Sequence, residues 1–187
     1  MVSPTLSVAL KEWSVVCDAL QRGRQMILLR KGGIVEAIGG FELEQREFLL
    51  FPTLLHQNKG MLKQEVHARV EQAYAEPENI TLTAAAEVVD IYRLSNRAQM
   101  DALDSEHIWT APLIDMRFNY RPKNPLYLLI VRTHMLERPV ILANTPEYAG
   151  CKSWVPLAAE IDCAASRPAL DDASFEQHRE RIKRALA

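Results

Sequence analysis

Cysteine is scarce and scattered. Cys17, Cys151 and Cys163 contain no C-x-x-C pair, so neither a disulfide framework nor a cysteine zinc site is indicated, and a reducing compartment is expected. The N-terminus, Met-Val-Ser-Pro, lacks a basic region followed by an apolar core and a small-residue cleavage site. No apolar run approaches the roughly 18 residues of a membrane-spanning helix. A cytoplasmic protein with no membrane partner is therefore expected. Charge of one sign is also missing: the net charge of −2 argues against bulk electrostatic binding of DNA and leaves room only for a local basic patch. There is no internal repeat, no low-complexity segment, no G-x-x-x-x-G-K-[ST] loop and no G-x-S-x-G elbow. The histidines His56, His67, His107 and His134 show no H-x-x-x-H spacing, so no metal is expected, and nothing in the chain calls for a cofactor.

What is present is an ordinary globular composition, 48% hydrophobic and 25% charged over 187 residues, enough for one domain with a sizeable core. The whole of 1–187 reads as that domain, with 168–187 as a C-terminal helical appendage. Leu6, Leu10, Trp13, Cys17 and Leu20 recur at spacings of four and three, which predicts a helix over about 6–22 closed by Gly23. Gln25 to Arg30 reads as a buried strand, Glu47 to Phe51 as a second strand ended by Pro52, and Leu62, Val66, Val70 and Ala73 as a helix stopping before Pro77. From Ile80 to Tyr92 the pattern has period two, a strand with unequal faces. Ser95 can cap a short helix carrying Met100 and Leu103, and a loop rich in Arg, Pro and aromatics is expected after His107-Ile-Trp109. Leu126 to Val131 is the most apolar strand, Ser153 to Val155 a further short one, and a helix from Asp172 places acids early and Arg179, Arg181, Lys183 and Arg184 late, as the helix dipole favours. Together these elements predict an α+β fold built on a small mixed or antiparallel β-barrel-like sheet with flanking helices.

The most suggestive segment is Arg24 to Ile34, an apolar run that ends in Arg30 and Lys31 and is stopped by Gly32 and Gly33. A phosphate site needs cations and backbone N–H groups that can approach an oxygen closely, and glycine permits that approach. The plainer reading is a polar strand end followed by a turn. Arg117, Arg121, Lys123 and Arg132 could join the same patch, and Phe118 and Tyr120 interleave with them as stacked bases between phosphate contacts would require. Trp109 is a second candidate for base stacking. His56 and His107 are candidates for acid–base work, with Glu36 as the carboxylate, although a histidine holding a loop through a carbonyl is the commoner case. Glu12 reads as solvated or Arg-paired, and Trp13 as core.

The blocks Leu10-Lys-Glu-Trp13, Leu28-Leu-Arg-Lys-Gly-Gly-Ile34, Phe48-Leu-Leu-Phe-Pro-Thr53 with His56-Gln57, His107-Ile-Trp109, Arg121-Pro122 before Pro125-Leu-Tyr127, and Gly150-Cys-Lys-Ser-Trp-Val155 together resemble a bacterial family of unknown function, over nearly all of 9–157. That resemblance implies no particular activity. By pattern alone, a helix, a Gly-x-x turn and a strand ending in Arg and Lys are also similar to the small β-barrels of the PUA and ASCH kind. This second resemblance implies binding of RNA or modified bases, with the acidic residue expected after the strand cation displaced or replaced by Glu36. Three functions of different class follow: a nucleic-acid or nucleotide-binding module, with RNA or a nucleotide as partner; an enzyme acting on a phosphorylated or nucleic-acid substrate through a His/Glu pair; and a protein-interaction domain. Oligomeric state is not readable from the sequence.

Overall fold

A computed structural model of the chain describes residues 2–187 apart from 32, 33, 38, 39, 44, 72 and 151, with the backbone alone described for 34–37 and 40–42. The fold is α+β. Nine strands are described: β1 (Thr5–Trp13), β2 (Ile27–Arg30), β3 (Ile34–Ala37), β4 (Gly40–Leu43), β5 (Glu47–Thr53), β6 (Asn79–Leu94), β7 (Leu126–Ala143), β8 (Trp154–Asp162) and β9 (Arg167–Pro168). The α-helices are α1 (Ser14–Gln21), α2 (Ala98–Asp101), α3 (Ala111–Asn119) and α4 (Asp172–Leu186). Among the described residues, seven strands form one mixed sheet in the order β2-β7-β6-β5-β1-β8, with β9 on β7, while β3 and β4 form a separate hairpin. The sheet is mixed because β1 and β5 run parallel and the remaining pairs antiparallel. It ends at β2 and β8 and is not closed into a barrel, so the closed form implied by the PUA and ASCH resemblance is absent.

Two apolar clusters cover the two faces, and strand alternation sorts residues between them. Leu10, Phe48, Leu50, Ala84 and Ala86 face the larger cluster with α1, α3 and α4, whereas Ala9, Leu49, Phe51, Leu82 and Ala85 face the smaller one with Tyr148, Val155 and Ile161. Helix α4 packs into this core, with Phe175 and Ile182 buried in the larger cluster.

Four expected elements differ. The helix expected at 6–22 is strand β1 followed by α1, because β1 is sandwiched between β5 and β8 and both Ala9 and Leu10 are fully buried. Its buried Leu6 and Leu10 happen to continue the spacing of the helical Cys17 and Leu20. The helix expected at 62–73 is two 3-10 turns, Lys59–Met61 and Gln64–Arg69. Backbone groups nearby are committed elsewhere: Lys63 N–H donates to the Ile108 carbonyl at 2.8 Å and Thr110 N–H to that of Met61 at 3.1 Å. The loop expected after Trp109 contains α3, which Pro112 opens in its first turn. Strand β5 runs past Pro52, the proline expected to end it, and β7 likewise contains Pro139. Pairing of β5 with β6 ends at Leu49, so only one edge of β5 is engaged at Pro52, and Pro139 lies where the β6–β7 register jumps between Met135 and Val140.

Candidate functional site

The parallel strands β1 and β5 end side by side, with Trp13 opposite Thr53. Beyond those ends lies an open cleft of about 620 Å³, walled also by the end of β2, by α3, and by the connection from β7 to β8. Among the described residues its charged lining is Lys11, Arg30, Arg117 and Lys152 against Glu12 and Glu76, an excess of two positive charges on a chain whose net charge is −2. His56, Trp13, Thr53, Asn144, Tyr148 and Ser153 complete the polar and aromatic surface.

Arg30 is the central cation. Its side chain is 11% exposed and its Nη2 donates to Glu12 Oε2 at 3.3 Å, so the expectation of an Arg-paired Glu12 holds. Arg30 Nε is buried without a hydrogen-bond partner among the described residues. Burial pushes the guanidinium below the usual arginine pKa, Glu12 opposes that shift, and the nearby Arg117 adds to it. Glu12 is itself fixed, since Oε1 accepts the Trp13 N–H at 2.9 Å. Arg117 has no carboxylate within ion-pair distance among the described residues.

Other lining residues are positioned by backbone contacts. Lys11 Nζ donates to the carbonyls of Tyr148 and of Gly150, the latter at 3.2 Å, which ties β1 to the connection before β8. Gly150 adopts φ 84°, a left-handed conformation that glycine accepts without strain. Glu76 accepts N–H bonds from Leu54 at 3.1 Å and Leu55 at 3.4 Å, closing the turn that carries His56. His56 has φ 64°, an uncommon conformation for a side-chain-bearing residue and one often found at functional positions.

The residues singled out in the sequence divide accordingly. Arg30, Arg117 and His56 line the cleft. Lys31, the next residue in the chain, instead donates to the carbonyls of Phe118 at 2.8 Å and Arg121 at 3.4 Å, securing the C-terminal end of α3 and thereby the helix that carries Arg117. It lines a smaller depression with Arg93 and Lys123, whereas Arg30 and Arg117 line the cleft. Tyr120 and Arg121 are exposed and stack on each other, 5.2 Å from guanidinium to ring centre, outside the cleft. Trp109 is buried in the core and offers no face to a base. His107 is fully buried with its Nδ1 accepting the Trp109 N–H at 3.2 Å, and burial lowers its pKa to about 4, so it is a neutral core histidine and not an acid–base group of the cleft. Gly32 and Gly33 lie outside the described residues, as does the side chain of Glu36 in β3.

Lys11, Glu76, Tyr148 and Lys152 escaped the sequence reading as site residues. Lys11 and Lys152 fall inside the blocks Leu10-Lys-Glu-Trp13 and Gly150 to Val155, and the polar residues of those blocks were the available signal. Among the described residues, no group of three or more His, Cys, Asp or Glu side chains is placed to hold a metal, and no helix is long and apolar enough to cross a membrane. No curated protein and no solved structure matches the chain. A family model does match, spanning residues 9–181, and by that match the chain belongs to the family described as Domain of unknown function (DUF1802).

Proposed function

We propose that the protein is a nucleotide- or nucleic-acid-binding module, with the cleft beyond β1 and β5 as its phosphate site. The observation that carries this reading is the pairing of Arg30 and Arg117 in one recess with a surplus of positive charge, on a chain that is otherwise slightly acidic. Arginine presents a planar fork of donors suited to phosphate oxygens, and Trp13 on the same wall supplies a ring for a base or sugar. The ligand class agrees with the one implied by the PUA and ASCH resemblance, without the closed barrel. Titration of wild type and Arg30→Ala with a short single-stranded RNA and with free nucleotides, each at two salt concentrations, tests it. Loss of one phosphate contact should reduce the salt slope by roughly one unit. Absence of wild-type binding to RNA, DNA and nucleotides alike leaves the protein-interaction reading in possession.

A second reading, an enzyme acting on a phosphorylated substrate, is favoured by the left-handed backbone of His56 beside the cations. His56 would act as the acid–base group, with Glu76 or Glu12 as the carboxylate in place of Glu36. Asparagine tolerates the same backbone region, so His56→Asn removes the imidazole and keeps the turn. Turnover of nucleotide or RNA by wild type that is lost in His56→Asn, with binding retained, would support the enzyme reading.

A further inference from the structure

We infer that the cleft takes a terminal phosphate monoester, at the end of a nucleotide or of a strand, in preference to an internal phosphodiester. The inference rests on the nucleotide-binding reading above and narrows it. Charge is the first reason. Among the described residues the lining carries four cations against two carboxylates, and Arg30 and Arg117 repel each other in a recess where Arg30 is almost excluded from water. A phosphate monoester carries about −1.5 to −2 at neutral pH, which balances that surplus, whereas one internal diester carries a single charge and leaves half of it standing.

Geometry is the second reason. A site for the interior of a strand needs cations laid out along a track that follows successive phosphates. Here they come from four separate segments, the end of β1, the end of β2, α3 and the connection before β8, and they wall one recess. Lys31, Arg93 and Lys123 line a different depression from the one that Arg30 and Arg117 line. Glu12 restrains Arg30 through Nη2, and Arg30 still lines the cleft. The guanidinium is thus held at the cleft wall, where its fork of donors suits phosphate oxygens.

The test compares a short single-stranded RNA bearing a 5′-phosphate, the same RNA with a 3′-phosphate, and the same RNA with hydroxyls at both ends, together with AMP and its 3′,5′-cyclic diester. One added charge-assisted contact corresponds to about tenfold in affinity or more, so at least one phosphorylated RNA should bind about tenfold tighter than the unphosphorylated one, and AMP tighter than the cyclic diester. Arg117→Ala should reduce both preferences to near unity with an unchanged melting temperature, because Arg117 has no carboxylate partner among the described residues. Lys152→Ala serves as a second variant with the same expected direction. Binding of all three RNAs with equal affinity overturns the terminal-phosphate inference and leaves the nucleic-acid reading standing. No binding of any ligand overturns both.

Discussion

Glu12 engages every acceptor oxygen it has. Oε1 takes the Trp13 N–H, Oε2 takes Arg30, and its backbone carbonyl accepts from the Thr53 hydroxyl at 3.3 Å and from the Cys17 thiol at 3.8 Å. At this one residue the turn from β1 into α1, the neighbouring strand β5 and the central cation of the cleft are joined. Removing the carboxylate leaves a nearly buried guanidinium without its counter-charge, and such a loss costs about 3 kcal/mol or more. Urea unfolding of Glu12→Ala should show that loss, and the double variant Glu12→Ala with Arg30→Met should recover much of it because the orphaned charge is gone. The sequence made the pair visible only as a possibility. Glu12 and Arg30 are both strand residues 18 positions apart, and nothing in a spacing of that length identifies partners.

At the scale of the element, α1 is a helix whose cap comes from elsewhere in the chain. Its N-cap position, Trp13, provides no side-chain cap, and the free N–H of Val15 is taken at 3.1 Å by Gln57 Oε1, which also accepts the Ser14 hydroxyl at 3.1 Å. Gln57 in turn donates to the Glu71 carbonyl at 2.7 Å. Gln57→Ala should therefore cost about 1–2 kcal/mol, read as a lower denaturation midpoint, and should speed amide exchange in the first turn of α1. This also explains why the junction between β1 and α1 escaped the sequence reading: the usual start signal is a local Ser, Thr, Asp or Asn, and here it lies 42 residues downstream.

Helix α4 shows the opposite case, with its start written locally. Asp171 caps it by accepting the Ser174 N–H at 2.8 Å, and its acidic beginning and basic end were readable directly. Its docking was not readable. Glu106, buried against it, accepts from Arg181 Nε at 3.0 Å and lies 2.9 Å from His178 Nδ1. Burial raises the Glu106 pKa, but the hydrogen bonds from His178 and Arg181 outweigh that effect and hold it below 4.5. A carboxylate depressed in this way stabilises the docked helix above its unfolded value and loses that contribution as pH falls through the lower folded value. Protection of the amides across 172–186, relative to their intrinsic exchange rates, should therefore fall as pH drops below the ordinary carboxylate range, and Glu106→Gln should show the lower protection already at neutral pH.

For the molecule as a whole, the buried histidines set the acid side of stability. His107 is held neutral with a pKa of about 4 against an ordinary 6.5, and burial lowers His134 as well despite its contact with Glu87. The unfolded chain binds protons at pH values where these folded imidazoles do not, so stability is full above about pH 6.5 and declines as pH falls toward 4. His107 alone accounts for about 3 kcal/mol of that decline. Guanidinium unfolding between pH 7.5 and 4.5 should show the slope, and His107→Gln should flatten it.

The architecture was legible in the same uneven way. The long strand at 79–94 and the terminal helix announced themselves by their own periods, and the strand from 126 by its unbroken apolar run. The cleft was half legible: Arg30, Arg117 and His56 stood out as polar residues at element ends, but Trp109 and His107, equally conspicuous in sequence, belong to the core. Burial depends on which segment crosses over a residue, and Trp109 is covered because Leu62 pairs with it from 47 positions away.

The order in which the chain is made bears on when the cleft can exist. Strand β1 leaves the ribosome early, yet it is sandwiched between β5 and β8, and its Lys11 is held by carbonyls at Tyr148, Gly150 and Ser153. Translation at about 5–20 residues per second delivers that last partner some 7 to 28 seconds later. Throughout this interval β1 presents an unpaired edge beside Leu6, Ala9 and Leu10. Ligand cannot assist the early steps of folding, because the wall it would touch is assembled last. A nascent chain arrested before residue 154 should accordingly be a chaperone client, and release of the full chain should be the event that creates the site.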